Sequence, residues 1–144
     1  MTLSSPPGGS NLRNVDNPIR VFVVNDSAIF VAALGRFLDD ELDIVVVGTA
    51  AGLPEALAAA EHSQPEVVLI DPEPHDLLVG RAVRELRTTL PQACIIVLTV
   101  HVDDAHRSVA MEAGADEFVG KWGIPEDLLS AIRNNVARRS RFGK

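Results

Sequence analysis

Five times between residues 19 and 138, a short β-branched apolar run gives way to a longer stretch with helical spacing, and this alternation constrains the fold more than any other feature. The runs are Ile19–Val24, Ile44–Thr49, Glu66–Ile70, Cys94–Leu98 and Glu117–Gly120. Their near-continuous Val and Ile content reads as strands covered on both faces, as in a parallel sheet. Between them, Ile29, Phe30, Ala33, Leu34, Phe37 and Leu38 form an apolar stripe behind Ser27, a predicted N-cap. Pro54 suits a first helical turn. Val79, Val83, Leu86 and Leu90 share a face that Pro91 terminates. Asp103 and Asp104 favour a helix start, and Gly114 sits where a C-cap glycine belongs. Pro125, Glu126 and Asp127 open a last helix with Leu128, Leu129, Ile132 and Val136 facing inward. Right-handed crossovers turn this (βα)5 order into an α/β fold, a doubly wound parallel five-stranded sheet in a three-layer sandwich.

At 144 residues, 47% of them apolar and 23% charged, the chain has the size and composition of one globular domain. No apolar stretch approaches the roughly 18 residues of a membrane span, and the polar N-terminus has no signal-peptide core. Residues 1–17, rich in Ser, Pro, Gly and Asn, read as a flexible leader. Cys94, alone, cannot form an internal disulfide, which fits a cytoplasmic protein. The net charge of −7 is uneven: from Leu128 onward there are five basic residues (Arg133, Arg138, Arg139, Arg141, Lys144) and no acid, leaving 8 basic against 20 acidic side chains before it. An acidic body argues against nonspecific nucleic-acid binding. The basic tail could touch nucleic acid, but cations at a helix C-terminus also favour the helix dipole, and solvation alone would suffice. A dinucleotide-binding reading fails, because GTAAG at 48–52 does not match G-x-G-x-x-G.

Parallel strands deliver the residues at their carboxyl ends to one crevice. Here Asp26 closes VFVVND, Asp71 closes VVLID, Thr99 closes IIVLT and Lys121 closes EFVGK. Two acids, a hydroxyl and an amine converging there suit phosphoryl transfer, which needs a nucleophile, a cation and donors to the equatorial oxygens. A carboxylate can form an aspartyl phosphate, so Asp71 could be the nucleophile. Asp26 could hold Mg²⁺, which takes one or two carboxylates with water and phosphate oxygens. Thr99 and Lys121 could donate to the phosphoryl group. Singly, each residue is more often a cap, a strand former or a solvated charge. In register, the four together reverse that weighting.

Through IRVFVVNDS, EVVLID, IIVLT, EAGADEFVGK and IPEDLLSAI, the chain resembles the receiver domain of two-component response regulators, with a flavodoxin-like fold. Thr99 lies 28 residues after Asp71, and Lys121 lies 22 after Thr99. The short third helix and the K-x-x-x-P-E-x-L pattern at 121–128 are similar to the subfamily with LuxR-type helix-turn-helix output domains, although DSAIF is closer to chemotaxis-type receivers. The resemblance implies a leader at 1–17, a receiver at 18–138 and a basic tail or linker at 139–144. It implies that Asp71 takes a phosphoryl group from a sensor histidine kinase and that Asp26, Asp71 and the backbone carbonyl of Glu73 ligate Mg²⁺. It further implies that Thr99 is the switch hydroxyl, Phe118 the aromatic switch position and Lys121 the phosphate partner. Such a domain is a phosphoacceptor in signal transduction rather than an enzyme, with self-catalysed phosphotransfer only. The implied readout is a homodimer through the fourth- and fifth-helix face. DNA would be reached only through an output domain absent from this chain, and no membrane is involved.

The chain also departs from that pattern. Asn25 occupies the first place of a usually acidic pair, so Mg²⁺ binding is expected to weaken, with Asn25 contributing through an ordered water. Pro72 directly follows the acceptor, Pro74 lies one residue before the usual proline, and Val79 replaces an expected glycine. Two prolines in three residues fix φ and remove amide donors beside Asp71. A pseudo-receiver, an interaction module that no longer cycles phosphate, therefore stays open as the alternative. A haloacid-dehalogenase-type phosphatase is more distant, because Glu73 stands where that chemistry wants an aspartate. His62, His75, His101 and His106 lack metal-ligand spacing, though His75 and His101 could border the crevice, as could Trp122.

Overall fold

The computed structural model describes residues 16–71, 79–99, 104–120 and 125–142. Its strands are β1 (Ile19–Val24), β2 (Ile44–Ala50), β3 (Val67–Ile70), β4 (Cys94–Thr99) and β5 (Glu117–Gly120). The helices are α1 (Ala28–Asp39), α2 (Leu53–Ser63), α3 (Val79–Thr89), α4 (Asp104–Ala113) and α5 (Pro125–Phe142). The strands form one parallel sheet in the order β2-β1-β3-β4-β5. The predicted alternation is thus observed, with strand ends moved by a residue: β2 runs on to Ala50, β3 starts at Val67 and β4 takes in Thr99.

Successive strand residues point to opposite faces, and the core divides accordingly. Val21, Val23, Val67, Leu69, Ile96 and Leu98 pack under α1 and α5, against Leu34, Leu38, Leu128, Leu129, Ile132 and Val136. Phe22, Val24, Val68, Ile70, Ile95 and Val97 pack under α2, α3 and α4, against Ala56, Ala60, Val83, Leu86 and Ala110. Burying both faces explains why the strands read as apolar runs instead of alternating ones. Between β1 and β2 the register slips at Val21/Phe22, so that Gly48 stands opposite Phe22. A Cβ at Gly48 would lie 2.7 Å from Cε2 of the buried Phe22 ring, and glycine is what admits the ring there.

Among the described residues the helix signals hold with one correction, and the Val79 side chain lies outside them. The Ser27 hydroxyl accepts the Phe30 backbone N–H at 3.2 Å and caps α1. The apolar stripe of α1 is narrower than the sequence implies, because Ile29 is 85% exposed and Ala33 is also exposed. At 3.6 residues per turn, Ile29 lies about 140° around the helix from Leu34, so it cannot share the inward face. Val31 joins Phe30 and Phe37 at the core edge instead. Pro54 sits in the first turn of α2, whose end is capped by Gln64 in the left-handed region at φ 48°. Leu90 follows the end of α3 and is buried, with Pro91 beyond it. Gly114 ends α4 at φ +119°, while Asp103 lies outside the described residues.

Two of the basic residues near the chain's end, Arg133 and Arg139, pair with acids of the body, while Arg138 donates to Asn135 on its own helix. Arg133 reaches Asp43 Oδ1 at 2.6 Å and Glu41 Oε1 at 2.9 Å, and the Asp43 hydrogen bond is the chief cause of its raised pKa. Arg139 reaches Asp116 Oδ1 at 2.9 Å, and α5 continues to Phe142. Among the described residues, no helix is long and apolar enough to cross a membrane.

Candidate functional site

The strand order places the ends of β1 and β3 side by side, at the point where successive connections turn to opposite sides of the sheet; ligands bind open α/β sheets at such a point. Both strands extend one residue of backbone pairing into the crevice. The Asn25 N–H donates to the Ala50 carbonyl at 2.9 Å, and the Asp71 N–H donates to the Val24 carbonyl at 3.0 Å. These bonds present the side chains of Asn25, Asp26 and Asp71 at one edge.

Asn25 is 5% exposed, and its amide nitrogen Nδ2 donates directly to Asp71 Oδ2. Its Oδ1 accepts the Ser27 backbone N–H at 2.6 Å. Ser27 in turn caps α1, so the Asp71 carboxylate is tied through Asn25 to the start of a helix. Asp71 itself is partly exposed, and Asp26 is exposed. The sequence predicts for Asn25 a contact with a cation through an ordered water. The direct bond to Asp71 was missed, because the two residues are 46 positions apart and nothing in either segment names the other.

Thr99 ends β4 and is only 3% exposed, in register with Gly120 at the end of β5. Two residues back along the same pair, Val97 stands opposite Phe118, which is buried. The Arg107 guanidinium of α4 lies over the Phe118 ring, 5.3 Å from its centroid, a distance at which the ring quadrupole attracts a cation. Nothing in the sequence around Arg107 announced that contact. The structure therefore brings Asp26, Asn25, Asp71 and Thr99 to one end of the sheet, with Phe118 further inside. Lys121, Glu73, Pro72, Pro74, His75, His101 and Trp122 lie outside the described residues.

The donor set suits a hard divalent cation. Among the described residues no cluster of three His, Cys, Asp or Glu side chains could hold a metal ion. Two carboxylates at adjacent strand ends remain, those of Asp26 and Asp71. Mg²⁺ is satisfied by that number when water and phosphate oxygens complete its octahedron. At the other end of the sheet, burial pushes the Cys94 thiol up to about 11, away from any reactive thiolate.

Comparison with known proteins agrees with this geometry. The family model described as the response regulator receiver domain matches residues 21–133. Response regulator protein VraR of Staphylococcus aureus is 29% identical over 124 residues, 86% of this chain and 59% of that protein, so the chain spans about three fifths of that relative's length. Among solved structures, a LuxR-family two-component response regulator from Aurantimonas sp. SI85-9A1 is 29% identical with a TM-score of 0.76, over 85% of this chain and 87% of that one. The response regulator domain of Thermotoga maritima CheB is 27% identical with a TM-score of 0.74, over 83% and 97%.

Proposed function

Because this chain belongs to the response regulator receiver family, we propose that it is a phosphorylation-operated switch in which Asp71 accepts a phosphoryl group from a sensor histidine kinase. In that transfer an Asp71 carboxylate oxygen attacks phosphorus, the P–N bond to the kinase histidine breaks, and the departing imidazole nitrogen takes up a proton. Asp26, Asp71 and the Glu73 backbone carbonyl would hold Mg²⁺, which when bound would supply charge neutralisation for the transferring group. Lys121 pairs with the phosphoryl oxygens, and the Thr99 hydroxyl donates to them. The added charge then biases Thr99 and Phe118 and the face formed by α4 and α5. In this reading the readout is pairing of two copies through that face, in the cytoplasm, with DNA reached only by way of a separate output domain. The likeness to a LuxR-family regulator supports a role in transcription control.

The observation that carries this reading is the meeting of Asp71, Asp26 and Thr99 at the carboxyl ends of β3, β1 and β4. Incubation with Mg²⁺ and acetyl phosphate, followed by intact mass measurement, should show the gain of one phosphoryl group, absent in Asp71→Asn. A folded sample that gains no mass refutes the switch. It would favour the second reading, a pseudo-receiver, for which the neutral Asn25 amide bonded to Asp71 is the supporting observation.

A further inference from the structure

Asn25 is a buried carboxamide whose orientation is dictated at both ends. The Ser27 N–H requires an acceptor, so Oδ1 faces it at 2.6 Å, and the Asp71 carboxylate requires a donor, so Nδ2 faces Oδ2. Its backbone N–H is used by the Ala50 carbonyl. Pinned at two side-chain atoms on an anchored backbone, the carboxamide cannot turn away from Asp71 without stranding a buried polar group.

An aspartate at position 25 would be nearly isosteric. It would keep the acceptor for Ser27 but set oxygen against oxygen at the Asp71 end, where two ionised carboxylates in contact repel, the more so because position 25 is itself buried. A divalent cation between them is the natural remedy. The amide instead supplies a proton where an acid would supply a charge.

We propose that Asn25 is a positioning residue that holds the Asp71 carboxylate through its amide N–H, making the resting site stable without a divalent cation. The cation is then an addition to a finished site and not a condition of its folding. The inference rests on the assignment of Asp26 and Asp71 to the cation in the proposed function, yet it concerns the unphosphorylated protein and can fail separately.

The test compares wild type with Asn25→Asp at pH 8, in chelator and in millimolar Mg²⁺, reading the melting temperature and, by isothermal titration calorimetry, the Mg²⁺ affinity. Wild type should melt at nearly the same temperature in both conditions. Asn25→Asp should melt lower in chelator by roughly 5 °C or more, recover in Mg²⁺, and bind Mg²⁺ at least about tenfold more tightly. An Asn25→Asp protein that folds only with Mg²⁺ gives the same support. If Asn25→Asp is as stable as wild type in chelator, or wild type itself needs Mg²⁺ to reach full stability, the proposal is wrong. A measurement independent of the variant is amide NMR of wild type in chelator, where a bonded Asn25 side-chain N–H is protected from exchange and an unprotected one overturns the proposal. A wild type that takes no phosphoryl group would sink the switch while leaving these outcomes untouched.

Discussion

Asp116 joins three parts of the molecule, and removing its carboxylate should destabilise the protein by about 2–4 kcal/mol. Its Oδ2 accepts the Ile95 backbone N–H at 2.8 Å and Arg87 Nη2 at 2.7 Å, and its Oδ1 accepts Arg139 Nη2 at 2.9 Å. Arg87 also donates to the Gly114 carbonyl at 2.8 Å and the Ala93 carbonyl at 2.6 Å, so its guanidinium is held by backbone as well. Ile95 is fully buried, and an N–H left there without an acceptor costs about 1–3 kcal/mol. The two ion pairs are partly exposed and add only about 0.2–1 kcal/mol each. Asp116→Ala loses all three interactions. Asp116→Asn keeps one oxygen for Ile95 and loses the charge, so its deficit should be near 1 kcal/mol. Urea unfolding followed by circular dichroism measures both, and thermal melting should register about 2–4 °C per kcal/mol at this size. Raising salt to about 1 M, where the Debye length is about 3 Å, should shrink the ion-pair share and leave the Ile95 share intact. If Asp116→Ala loses less than about 1 kcal/mol, or matches Asp116→Asn, the buried N–H has another acceptor and the reasoning fails.

Three further outcomes follow from other contacts. Gly48→Ala drives a Cβ into the buried Phe22 ring and should cost about 1–3 kcal/mol, read by urea unfolding; a neutral effect would mean that the register slip between β1 and β2 relaxes freely. Burial favours the protonated Cys94 thiol in the folded state, with a value pushed up to about 11. Stability from this source is intact below the unfolded thiol value of 9.0 and falls as pH climbs from there to about 11, because the unfolded chain ionises first. Cys94→Ala should flatten that part of the profile, and identical alkaline slopes would refute it. Arg107→Ala should cost about 0.5–1 kcal/mol and loosen Phe118, visible as altered aromatic NMR signals; unchanged Phe118 signals would deny the cation–ring contact a role.

Periodicity records burial along the chain, so what depends on burial alone was legible in the residues. The Val and Ile runs marked five strands covered on both faces, and Ser27, Pro54, Gly114 and the 125–127 segment marked helix ends. Parallel pairing then implied a shared crevice for Asp26, Asp71 and Thr99, since every strand of such a sheet ends on the same side. Ile29 was misassigned because an apolar residue in a helix carries no mark of which way it faces. Partnerships between distant segments were beyond the sequence for a different reason. A carboxamide, a carboxylate or a guanidinium has the same composition whether it meets water or another side chain, and only the packed sheet decides which. Tertiary structure alone put the Asn25 amide on Asp71, Arg133 on Asp43 across 90 positions, and Arg139 on Asp116. The chain by itself determined that a polar site stands at the end of a parallel sheet and that a neutral amide replaces an acid in it; the three-dimensional fold decided that this amide bonds the Asp71 carboxylate directly.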